Sequence, residues 1–195
     1  TIGENAAWDH WQLNEEVEQA VRTADALYFG TLGQRGESAR EGIHRALAIA
    51  RERGIPRILD INLRPPFFDD ALIRDSVAAC SVLKLSDEEL DRVAEACAIP
   101  SSESELERIK MIREKFGLHW VVMTQGAEGA TLVLERGLAR QPGVPANVVD
   151  TVGAGDSFTA ALTIGLLEQN DPSDILETAC QLAAEVCSHA GAVPQ

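Results

Sequence analysis

Residues 148–162 read VVDTVGAGDSFTAAL. Val148 and Val149 are β-branched and lead into Asp150. Gly153, Ala154 and Gly155 make a glycine-rich turn, and the apolar stretch from Phe158 onward reads as a helix. The pattern predicts a strand that runs through a glycine turn into a helix N-terminus. The first N–H groups of such a helix have no partners within it, and its dipole is positive at that end. The turn is therefore an anion site. Asp156 stands inside it. A carboxylate there is out of place for simple phosphate binding, but it suits a base that takes the proton of a hydroxyl attacking a phosphate.

Outward from this turn, short apolar runs alternate with amphipathic helices. ALYFG (26–30), RILDIN (57–62), SVLKL (81–85) and HWVVMT (119–124) read as strands, and ATLVLE (130–135) as an antiparallel edge strand. Helices are expected over 37–53, 69–79, 103–116, 155–169 and 173–189. Another follows Ser86, which with Glu89 three residues on forms a capping box. Pro65 and Pro66 break the chain after the second strand. Such alternation with short connections predicts a three-layer α/β/α fold around a mostly parallel sheet. Ligands of such sheets sit beyond the carboxyl ends of the strands. That rule gathers Asn62 and Arg64, then Lys84, Ser86 and Glu89, then Thr124, Gly126 and Gly129, and finally Asp150 to Asp156. The set offers phosphate donors, a metal ligand, close backbone and a base, which is what phosphoryl transfer needs.

The 195 residues carry 17 Lys and Arg against 31 Asp and Glu, a formal net charge of −14. This opposes partnership with nucleic acid or an anionic membrane surface. The acidic residues cluster on helices and read as solvated faces. Cys80, Cys97, Cys180 and Cys187 form no C-x-x-C pair and read as free thiols, as in a reducing cytoplasm. Cys180 and Cys187 share a helix face with Ala183 and Ala184, a packing pattern. His10, His44, His119 and His189 pair with no nucleophile, and Trp8, Trp11 and Trp120 read as packing residues. No apolar run is long enough to span a bilayer. No G-x-x-x-x-G-K-[ST] occurs, and Phe158 stands where a dinucleotide fingerprint needs its third glycine.

DTVGAGDSF, with DALYFG, DINLR, KLSDEEL, VVMTQGAEGA and the closing AGAVP, resembles the ribokinase-like, PfkB-type carbohydrate kinases along the whole chain. The resemblance implies transfer of the γ-phosphoryl of ATP to a sugar hydroxyl. It makes Asp156 the catalytic base and Gly153, Ala154 and Gly155 the anion hole. It sets Lys84, Ser86, Thr124, Gly126 and Gly129 by the nucleotide phosphates, and Cys180, Ala183 and Ala184 by the adenine. Asn62 and Arg64 fall to substrate or phosphate. Glu89 would orient Mg²⁺ through water, with Ser86 where the family commonly has asparagine. Asp150, Val152, Val186 and Gly191 match positions that bind a monovalent cation such as K⁺ in many members.

DINLR looks most like fructokinases. 2-Keto-3-deoxygluconate kinase, ribokinase and nucleoside kinase stay open, as does a non-catalytic fragment that binds nucleotide or sugar. The family's N-terminal apolar strand, di-glycine signature and lid strands are not in the chain, and TIGENAAW (1–8) resembles the end of the lid. Residues 1–195 are thus expected to be the C-terminal part of one ribokinase-like domain. Partners are ATP and a small sugar, with neither nucleic acid nor membrane, and a homodimer in the full-length form.

Overall fold

The computed structural model describes residue 3 and residues 6–192. Of the stretches quoted above, parts of TIGEN and the last residues of AGAVP lie outside the described residues. The chain divides into two compact units, Thr1–Val121 and Val122–Gln195.

In the first unit, β1 (Leu27–Gly30), β2 (Arg57–Asp60) and β3 (Val82–Ser86) run parallel in chain order. Leu27 lies beside Arg57 and Gly30 beside Asp60; Asp60 in turn lies beside Lys84. Ile58, Leu59, Leu83 and Leu85 are fully buried, as expected of strands covered on both faces. The helices are α1 (Glu15–Thr23), α2 (Glu37–Glu52), α3 (Asp70–Ala79), α4 (Asp87–Ala96) and α5 (Glu105–Phe116). Of these, α2 packs on β1 and β2, α3 on β2, and α4 on β3.

Local chemistry sets the helix ends. Asp69 and Ser104 accept the amides of Leu72 and Glu107, so α3 and α5 start one and two residues later than the periodicity alone suggests. Gly117 ends α5 in the left-handed conformation. Arg35 grips both carboxylate oxygens of Asp9 at 2.6 Å and lies 4.6 Å over the Phe67 ring. The guanidinium holds the Asp9 carboxyl below its usual range. Arg35 thereby fixes the 62–68 loop, where the Phe67 amide donates to the Arg64 carbonyl at 2.8 Å.

Strand β4 (Trp120–Thr124) crosses the boundary between the units. The second unit then has β5 (Gly129–Val133) and β6 (Leu138–Pro142), paired antiparallel with Gly129 beside Pro142 and Val133 beside Leu138. Helices α6 (Ala154–Leu167) and α7 (Pro172–Cys187) pack on each other, and α7 on β5 and β6.

Two expectations change here. First, β5 is not an edge: all five of its residues are buried, and β6 covers one side. Second, Val148 and Val149 form no strand. They are exposed, and residues 143–150 run as irregular chain held by the end of α7.

The Lys84 ammonium lies 2.7 Å from Asp60, both side chains being nearly inaccessible. Lys84→Met would take the ammonium partner away from the buried Asp60 carboxylate. It is expected to cost about 3 kcal/mol of folding free energy, read as a lowered urea midpoint. A loss under about 1 kcal/mol would show that the pair is not needed.

Candidate active site

The GAGD turn is built by the second unit alone. The Cys187 carbonyl, at the end of α7, accepts the amides of Val149 at 2.8 Å and Asp150 at 3.2 Å. Last-turn carbonyls of a helix lack intrahelical partners, so this acceptor is available without loss elsewhere. One Asp150 oxygen accepts the Val152 amide and the other the Gly191 amide, each at 3.0 Å. Those two amides hold the Asp150 carboxyl below the usual carboxylate range.

Gly153 caps α6 with φ +87°. A Cβ there would lie 2.7 Å from the Ala192 carbonyl oxygen, so only glycine fits. The amides of Gly155 and Asp156, in the first turn of α6, have no intrahelical acceptor. That of Ala154 reaches Thr151 O at 3.3 Å. Asp156 is exposed in this turn.

Ala154 and Gly155 open into a cavity of about 560 Å³. Thr124, Gly126, Gly129, Cys180, Ala183 and Ala184 also line it, so eight residues expected around a nucleotide share one space. Gly129 (φ +101°) is doubly constrained, because a Cβ there would run into the Gln141 carbonyl across the β5–β6 pair. Burial pushes the Cys180 thiol up, so it stays protonated and serves as apolar wall.

Sequence reasoning missed the rest of the lining, chiefly Val144, Pro145, Val148 and Phe158. Phe158 sits four residues after Ala154, on the same helix face, and that spacing was the available signal. The 143–148 segment gave none beyond Pro145. Among the described residues no charged side chain lines the cavity.

Asp150, Val152 and Gly191 are joined directly by the bonds above. Val186 is buried, and its carbonyl accepts the His189 amide at 3.1 Å. Among the described residues no three His, Cys, Asp or Glu form a metal cluster.

In the first unit, Glu89 Oε1 accepts the Leu63 amide at 2.7 Å. Its Oε2 accepts the Ser86 amide at 2.9 Å and the Ser86 hydroxyl at 3.0 Å. Glu89 thus ties the loop after β2 to the start of α4. Asn62 (φ +37°) and Arg64 lie exposed on that loop. Lys84, expected near phosphate, is buried on Asp60 instead.

The whole chain, residues 1–195, matches the pfkB family of carbohydrate kinases, and it belongs to that family. It is 29% identical to an aminoimidazole riboside kinase of Salmonella typhimurium, over 76% of this chain and 46% of the relative. It is 29% identical to a fructokinase of Klebsiella pneumoniae, over 83% and 52%. The chain therefore spans about half the length of these relatives. Among solved structures, the fructokinase of Vibrio cholerae bound to fructose, ADP and calcium is 25% identical. The match covers 86% of this chain and 56% of that one, with a TM-score of 0.75. These likenesses establish the three-layer α/β fold with mostly parallel strands.

The Asp150 bonds imply a pH signature. The carboxylate's contribution is complete above its ordinary value near pH 4 and fades as pH falls through its lower native value. Wild type is expected to melt above Asp150→Asn at neutral pH. Thermal scans should show that gap closing below about pH 4. A gap that widens in acid would contradict the assignment.

Proposed function

We propose that the chain is the nucleotide-binding portion of an ATP-dependent carbohydrate kinase. It would be the C-terminal part of a single ribokinase-like domain, a reading supported by its span of about half of its relatives. One observation carries the assignment: a cavity with apolar walls ends at the N-terminus of α6, where Asp156 stands in the first turn. Apolar walls suit a purine ring, and a helix N-terminus suits phosphate. Because no charged side chain among the described residues lines the cavity, the triphosphate charge is met by backbone amides, the helix dipole and cations.

In the reaction, an acceptor hydroxyl gives its proton to Asp156. Its oxygen bonds to the γ-phosphorus, the bond from γ-phosphorus to the bridging oxygen breaks, and ADP leaves. The amides at Gly153, Ala154 and Gly155 receive charge on the transferred group. The remaining lone pair of Glu89 Oε1 would suit a water-mediated hold on Mg²⁺, which when bound would neutralise phosphate charge. Carboxylate and backbone oxygens at Asp150, Val152, Val186 and Gly191 are hard ligands that suit K⁺. Arg64, exposed on its loop, is assigned to substrate or phosphate with Asn62. Lys84 is assigned a structural role because its ammonium is held by Asp60.

Fructose is the leading acceptor, on the Klebsiella and Vibrio relatives. A riboside is the second reading, favoured by the Salmonella relative. The four free thiols suit a cytoplasmic location, and no helix of the described residues is long and apolar enough to cross a membrane. A homodimer in the full-length form completes the proposal.

Asp156→Asn in the whole enzyme should lower phosphoryl transfer at least about a hundredfold and leave ADP binding unchanged. A coupled assay of ADP release with parallel calorimetry checks both. Retained turnover would remove Asp156 as the base.

A further inference from the structure

We infer that the donor site does not discriminate strongly among purine nucleotides, so that GTP and ITP serve as donors alongside ATP. The inference rests on reading the second unit's cavity as the donor site. Beyond its phosphate end, the walls are Val144, Pro145, Val148, Phe158, Ala183 and Ala184, with the thiols of Cys180 and Cys187. Among the described residues, the oxygen-bearing side chains of the lining are those of Thr124 and Thr151. Thr124 ends β4, and Thr151 belongs to the turn that leads into α6.

Adenine, guanine and hypoxanthine share one ring frame and differ in the donors and acceptors along its edge. Strong discrimination needs a buried polar group that is left unpaired by the wrong base. A site built that way rejects an analogue by about 10⁴-fold or more, whereas an apolar pocket separates near-isosteres by only about 10–200-fold. Alanine, valine and phenylalanine walls carry no such group. Thiols are weak donors and weak acceptors, and Cys180 is protonated. Pro145 also removes one amide from the backbone segment beside the ring. Ring burial and phosphate contacts remain, and all three nucleotides offer both equally.

Titration calorimetry of the chain with ADP, GDP and IDP tests this. The three dissociation constants are expected to fall within about 200-fold of one another, the range an apolar pocket allows. Constants that differ by more than about 200-fold overturn the inference and leave the donor-site reading standing. Base recognition would then belong to the backbone of residues 143–148. Failure of all three to bind overturns the donor-site reading together with the inference. Ala184→Leu adds bulk to the apolar wall and should weaken all three nucleotides by the same factor. A loss confined to ADP would overturn the inference.

Discussion

The Cys187 carbonyl accepts two amides, Val149 and Asp150, and the geometry of the candidate donor site depends on that bifurcated bond. Residues 143–153 belong to no strand or helix, so no ladder sets their course. The acceptor sits at the end of α7, where helix carbonyls lack partners and the dipole is negative. Asp150 extends the tie by taking the Val152 and Gly191 amides on its two oxygens. Gly153 completes it, because no other residue fits its φ and its approach to Ala192. The entry to α6 is thereby held on both sides.

The first unit uses the same device. Glu89 accepts the amides of Leu63 and Ser86, so one carboxylate fixes the loop after β2 and starts α4. Asp9 does comparable work from the N-terminal side, through Arg35 and its stack on Phe67. The acidic excess therefore has two parts. Many acidic residues are solvated helix faces, but a few neutralise orphan backbone donors or a buried cation, and these set the loops that follow strands. Lys84 is the counterpart in the core, where it balances Asp60.

The cavity divides its chemistry by position. One end offers helix N-terminal amides and a turn free of bulky side chains, and the walls are small and apolar. A polyanion there meets dipoles in place of fixed positive charges, which lets a carboxylate stand nearby without being locked into an ion pair. A lysine in the same turn would compete for Asp156. The absence of charge from the lining and the exposure of Asp156 are consistent parts of one arrangement.

Periodicity placed β1 to β5, α2, α3 and α5 to α7 within two residues of their ends, and the capping box placed the start of α4, because each signal is local in the chain. The Ser86–Glu89 capping box was legible because a cap acts over three or four residues, whereas the caps at Asp69, Ser104 and Gly117 emerged with the structure. Strand β6 was not legible. LARQP carries one buried apolar side chain, Ala139, and is a strand because β5 lies beside it. Val148 and Val149 have strand propensity, but among the described residues they pair with no strand, and the Val149 amide bonds to the Cys187 carbonyl at the end of α7 instead. The sequence by itself determined the alternating elements, the glycine turn and the identity of the residues around it. Tertiary structure decided that Lys84 pairs with Asp60, that Cys187 holds the turn and that residues 143–148 wall the cavity. Those outcomes depend on groups far apart in the chain, whose meeting no local pattern records.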